Sequence, residues 1–122
     1  MIFLLFLAAQ ASAVPAPAAA AVAEQTQFDI RCMLASQIAS ESSEGAEKVG
    51  LTLATMFYFG RVDAVLSGDP LAQQMEFEGK AIEGRPLGPL LQECGEFMKR
   101  RGEAMQEVGG KLDAREKARQ LR

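Results

Sequence analysis

Apolar residues recur at helical spacing along nearly the whole chain beyond residue 23, and no stretch shows the sustained alternation of a half-buried strand. Polar, Gly and Pro residues interrupt this pattern between the helical stretches. The sequence therefore predicts an all-α fold, and 122 residues leave room for one domain. We expect a small four-helix bundle with helices over residues 27–40, 46–66, 70–84 and 87–108. Asp69 is the predicted N-cap of the third helix, and Gly109 and Gly110 are predicted to end the fourth.

Residues 1–23 are predicted to be a signal peptide. Residues 2–9 are an uninterrupted apolar run, followed by an Ala- and Pro-rich stretch with small residues at candidate cleavage sites. Cleavage that leaves Val14 or Glu24 as the first residue fits the pattern equally well. No Lys or Arg precedes the run, so an uncleaved anchor is the alternative. The run is too short to span a bilayer, and we expect a periplasmic or secreted protein with no stable membrane span once the signal is removed.

The chain has two cysteines, Cys32 and Cys94. Their separation is unlike the C-x-x-C spacing of a redox site, and two ligands are too few for a structural metal. Both lie on the apolar faces of their helices, and an exported protein meets oxidising conditions. We therefore predict a disulfide that joins the first helix to the last.

The second helix carries two opposed apolar stripes. One stripe contains Val49, Leu53, Met56, Phe57, Gly60 and Ala64, and the other contains Leu51, Ala54, Tyr58, Val62 and Val65. Such a helix either lies at the centre of its domain or presents one face to a partner. For the second case we expect the surface to consist of Leu51, Tyr58, Val62 and Val65 and to bind a protein partner or a second copy.

The fourth helix combines a broad apolar stripe with glycines that recur every seven residues. Gly88, Gly95, Gly102 and Gly109 lie beside this stripe. Glycine costs about 1 kcal/mol inside a helix, so the repeat either marks the close approach of another backbone or is coincidental.

Charge divides the mature chain unevenly. Residues 24–96 hold 12 acidic and 5 basic residues, whereas residues 97–122 hold 4 acidic and 8 basic residues. We divide the mature chain into a helical domain over 24–110 and a basic C-terminal tail over 111–122, which either extends as a solvated helix or frays. Acidic residues interspersed in the tail argue against a nucleic-acid partner.

No familiar catalytic pattern is found in the sequence. The chain has no His, which excludes His-based triads, and it contains no nucleotide-binding, nucleophile-elbow or calcium-loop motif. We predict no catalytic residues, no cofactor and no metal site. Glu76 with Glu78, and Glu93 with Glu96, are interpreted as hydrated helix faces. The mixture of Tyr58, Arg61 and Asp63 is interpreted as helix packing with an ion pair.

Three segments carry a resemblance to known proteins: CMLAS in the first helix, MFYFGRVDA in the second and LLQECGEFMKRRGEAM in the last. With the leader, they resemble small exported two-cysteine helical proteins of alphaproteobacteria. The layout is also similar to HdeA-type periplasmic acid-stress chaperones and, more distantly, to periplasmic immunity proteins of the Tai and Rap kind. The resemblance implies that Cys32 and Cys94 are the bonded pair.

These observations favour a non-enzymatic periplasmic protein that binds or protects other proteins through an apolar surface. An acid-stress chaperone is one specific form, because 16 carboxylates lose charge as pH falls while 13 basic groups stay positive and repel. An immunity protein that blocks one toxin is the alternative within this class. A small envelope enzyme that uses carboxylates is the alternative from another class.

Overall fold

The computed structural model describes residues 21–122, so nearly all of the predicted signal peptide lies outside the described residues. The described chain forms four helices: α1 (Glu24–Glu41), α2 (Gly45–Asp63), α3 (Gly68–Ile82) and α4 (Gly88–Gln120). The described part contains no strand, which confirms the predicted all-α bundle. None of its helices is both long enough and apolar enough to cross a membrane.

Glycines with left-handed backbone geometry mark the helix boundaries. Gly68 begins α3 with φ of 63°, and Gly84 follows the end of α3 with φ of 71°, where a side chain would be strained. The predicted N-cap of α3 was wrong by two residues. Ser67 occupies that position, and Asp69 and Pro70 lie within the first turn.

The predicted end of α4 was also wrong. The helix continues through Gly109 and Gly110 to Gln120, and neither of these glycines has the positive φ that would terminate it. At 33 residues, α4 is about 50 Å long. The predicted tail is thus the last part of this helix, and every residue from Met105 to Arg122 is exposed. We call residues 99–120 of α4 the arm.

The first helix is the centre of the bundle, since α2, α3 and α4 all pack against it. Two groups of side chains form the core. One consists of Cys32, Met33, Tyr58 and Cys94, bordered by the rings of Phe28, Phe57 and Phe97. The other consists of Ile30, Val62 and Leu71, bordered by Leu34, Leu66 and Met75. The sequence allowed α2 to be the central helix, but the central helix is α1.

Cys32 and Cys94 form the predicted disulfide, with their Cα atoms 5.7 Å apart. The bond joins α1 to α4 across 62 positions of sequence. It lies in the core beside Tyr58, and both cysteines are buried. The disulfide therefore fixes the N-terminal half of α4 to the body, whereas the arm extends beyond this attachment.

Candidate functional site

The surface that the sequence assigned to a partner is largely core. Tyr58 and Val62 are completely buried, and Leu51 is half-buried. Only Val65, which follows the end of α2, is exposed. The prediction of this surface was wrong because α1 packs on that side of α2, and a helix at the edge of a bundle buries only one face.

The opposite stripe of α2 faces outward. Val49, Leu53 and Met56 are 60%, 58% and 65% exposed. Between Val49 and Gly60 the helix carries no charged residue, so the stripe lies within an uncharged surface about three turns long. Monomeric proteins seldom expose contiguous apolar patches of this kind unless they bind something.

A second exposed stripe lies on the arm. Met105, Val108 and Leu112 are 73%, 55% and 58% exposed and recur at spacings of three and four residues, so they share one face. The predicted fourth helix, over residues 87–108, included Met105 and Val108 but ended before Leu112. The spacing of seven residues from Met105 to Leu112 is typical of one helix face. It was not used because the helix was predicted to end at Gly109.

Part of the arm stripe borders a groove of about 550 Å³ between α2 and α4. Phe57 of α2 contributes one side, and α4 contributes Met98 together with Arg101, Gly102, Ala104, Met105 and Val108 of the arm. The groove is chiefly apolar, and Met105 and Val108 are shared between it and the arm stripe. We call the α2 stripe, this groove and the arm stripe together the α2–α4 surface. Methionines in such a surface can adapt to partners of different shape.

Arg61 of α2 contacts side chains of both α1 and α4. Its Nε donates a hydrogen bond to Oδ2 of Asp29 at 3.1 Å, and its guanidinium lies 4.7 Å from the ring centroid of Phe97. Gln25 donates to the other oxygen of Asp29. The expected helix packing with an ion pair is therefore present, but the partner is Asp29 of α1 and not Asp63. The sequence held no signal for a pairing across 32 positions.

Tyr58 is buried close to this ion pair. Its hydroxyl donates a hydrogen bond to the carbonyl oxygen of Cys94, which ties α2 to α4 in the core. Burial and, to a smaller extent, the nearby carboxylate of Asp29 raise the pKa of the Tyr58 phenol from 10.0 to about 12, while the positive charges of Arg61 and Arg100 partly oppose the increase. The Tyr58 side chain is thus a neutral hydrogen-bond donor within the core.

The two candidate carboxylate pairs lie in different surroundings, and the interpretation of Glu78 as part of a hydrated helix face was wrong. The Glu78 side chain is buried and accepts a hydrogen bond from Arg31 at 3.0 Å, whereas Glu76 is exposed and pairs with Lys80. Glu93 and Glu96 line a second cleft of about 530 Å³ and are both exposed. Within residues 21–122, no cluster of three or more His, Cys, Asp or Glu side chains is arranged to hold a metal ion.

The chain matches no protein-family model, and no curated protein or solved structure shows significant similarity to it. The resemblance to HdeA-type chaperones and to immunity proteins therefore stays a prediction from the sequence.

Proposed function

We propose that this protein is a non-enzymatic protein of the periplasm or the secreted fraction that protects other proteins by binding their exposed apolar segments. The α2–α4 surface is the proposed binding site. The observation that carries the proposal is the exposure of two apolar stripes, one with Val49, Leu53 and Met56 on α2 and one with Met105 and Val108 on the arm, together with the apolar groove between Phe57 and α4. Burial of apolar area at about 25 cal/mol per Å² supplies the driving force, offset by the entropic cost of association.

The architecture supports this role because the packing of the core leaves the α2–α4 surface exposed. The disulfide, the Tyr58–Cys94 hydrogen bond and the Asp29–Arg61 ion pair hold α1, α2 and α4 together behind the groove. The packing within one folded chain therefore leaves both stripes exposed. Partly unfolded proteins, which expose apolar segments of varied sequence, are the partners that a methionine-containing surface accommodates.

The proposal is tested by the aggregation of a client protein, followed by light scattering. Reduced α-lactalbumin, freed of excess reductant, is a suitable client because its acidic character gives no attraction to a chain with a formal charge of -3. We expect the wild-type protein to suppress aggregation. Leu53→Asp combined with Met105→Asp should abolish suppression while helicity by circular dichroism stays unchanged, since both side chains are exposed.

Val65→Asp is the matched control, because Val65 is an equally exposed valine outside the α2–α4 surface. It should suppress aggregation as well as the wild type. Loss of suppression in this control, or full suppression by the double variant, contradicts the proposed site. Repeating the assay in acid tests the acid-stress form of the proposal, which predicts stronger suppression at low pH.

A further inference from the structure

We propose that the α2–α4 surface also binds a second copy of this chain, with the arm of each copy lying antiparallel on the outward stripe of the partner's α2. This inference rests on the proposed function in that both use the same surface. It makes the dimer the resting form, in which each copy covers the surface that a client would otherwise bind.

The exposure and the glycine content of the arm favour its packing against another helix. From Met105 to Arg122 every residue is exposed, and Gly102, Gly109 and Gly110 lie within this part of the helix or next to it. Each glycine costs about 1 kcal/mol relative to alanine, and isolated helices of this length are marginal in water. A continuous helix with an apolar stripe is stabilised when that stripe is packed against another helix.

The spacing of the two stripes matches in one relative orientation. On α2, the residues from Met56 back to Leu53 and Val49 are separated by three and then four positions. On the arm, the residues from Met105 on to Val108 and Leu112 are separated by three and then four positions as well. Antiparallel pairing therefore sets Met105 opposite Met56, Val108 opposite Leu53 and Leu112 opposite Val49. In a parallel pairing, the four-residue interval of one stripe would face the three-residue interval of the other, so the residues would not align.

The direction of α4 within the body permits this pairing to form twice about a twofold axis. Tyr58 contacts Cys94 and Arg61 contacts Phe97, so α2 and α4 run in the same direction and the arm leaves past the C-terminal end of α2. A copy related by a twofold axis across the arms runs the opposite way, which makes its α2 antiparallel to the first arm. The interface is then isologous, and each arm meets the same stripe of the other copy.

Charge favours the same arrangement. Beyond Leu112 the arm approaches the N-terminal end of the second copy's α2. Residues 111–122 carry five basic and two acidic side chains. The α1–α2 junction of the second copy carries Glu41, Glu44 and Glu47 beside a single base, Lys48, and all are exposed. The basic end of each arm thus meets an acidic junction, while the uncharged stretches pair between them.

Two engineered cysteine pairs test the register. Leu53→Cys with Val108→Cys lies opposite in the proposed dimer, whereas Val49→Cys with Met105→Cys is displaced by two helical turns. The native cysteines are already bonded to each other. Because a disulfide needs Cα atoms within about 7 Å, mild oxidation should link two copies covalently through the first pair only. Equal linkage through both pairs, or linkage through the second alone, overturns the proposed register.

Sedimentation equilibrium of the wild type and of Val108→Asp tests the dimer itself. We expect a wild-type dimer that dissociates more readily at high salt, and at least a roughly tenfold weaker association in the variant. A wild type that is monomeric at about 100 µM, or a variant that dimerises equally well, overturns the inference. A monomer that still suppresses client aggregation leaves the proposed function intact, whereas a dimer without suppression removes that function and leaves the interface.

Discussion

The hydroxyl of Tyr58 donates a hydrogen bond to the backbone carbonyl of Cys94, next to the disulfide that Cys94 forms with Cys32. One covalent and one hydrogen-bonded link therefore attach the same turn of α4 to two different helices. The point of attachment divides α4 into a half that packs on the body and an arm that projects from it. The exposed arm stripe and the groove both follow from this division.

Replacing Tyr58 by Phe should lower the free energy of unfolding by about 1 kcal/mol at neutral pH, because one buried hydrogen bond is lost. The ring packing against Phe57 and Phe97 is retained. Chemical denaturation monitored by circular dichroism measures the change. No loss of stability in this variant would show that the hydrogen bond to Cys94 contributes nothing measurable.

The wild type should lose stability as the pH rises from about 10 towards about 12. The folded protein keeps the phenol of Tyr58 protonated over this range, whereas the unfolded chain releases the proton at its ordinary pKa, so unfolding is favoured. Below pH 10 the group contributes no pH dependence. Tyr58 is the only tyrosine and the chain has no tryptophan, so ultraviolet absorbance reports its titration directly. A folded-state pKa of about 10 would contradict the described burial.

Removal of the disulfide by Cys32→Ala with Cys94→Ala should destabilise the fold by about 4 kcal/mol, since the bond closes a loop across 62 positions. Thermal unfolding under non-reducing conditions measures the difference. Reduced wild type provides the comparison, because it lacks the bond but keeps both sulfurs. Equal stability of oxidised and reduced wild type would contradict the prediction.

Asp29→Asn should destabilise the protein by about 1 to 3 kcal/mol, because it leaves the guanidinium of Arg61 without its carboxylate in a site that is mostly shielded from water. Asp63→Asn is the matched control. It removes an exposed carboxylate from the end of α2, the helix that carries Arg61, and should change stability by less than about 0.5 kcal/mol. Similar effects of the two substitutions would show that the Asp29–Arg61 pair has no special contribution.

Gly110→Ala should increase the helicity of the arm and stabilise it by about 1 kcal/mol, the ordinary difference between the two residues inside a helix. Gly110 has an ordinary helical backbone, and an added Cβ would meet nothing within 4 Å. Amide hydrogen exchange in the arm measures the gain as slower exchange. Faster exchange in the variant would contradict the continuous helix through Gly109 and Gly110.

Local sequence patterns predicted the helices and the disulfide well, because helical periodicity and helix breakers are properties of neighbouring residues. The bonded pair followed from two cysteines on apolar faces. The end of α4 was mispredicted because Gly109 and Gly110 are compatible with both a helix end and a helix interior. Only their backbone conformation in the folded chain distinguishes the two cases.

The sequence alone could not show which of the two stripes of α2 is buried. Both are apolar and both have helical spacing, so periodicity gives them equal weight. The hydroxyl of Tyr58 does not keep its stripe at the surface, because it donates a hydrogen bond to the carbonyl of Cys94 inside the core. The outward stripe, with Val49, Leu53 and Met56, was identified as apolar but not selected. Tertiary packing against α1 decides which face is covered.

Site-specific photocrosslinking shows whether clients bind at the α2–α4 surface. A photoreactive maleimide is attached through Leu53→Cys on the α2–α4 surface and, in a separate control protein, through Val65→Cys, while the native cysteines stay bonded. Each labelled protein is mixed with unfolded client and illuminated. We expect strong crosslinking from position 53 and little from position 65, although both positions are exposed. Equal crosslinking from both positions, or none from position 53 while aggregation is suppressed, would contradict this expectation.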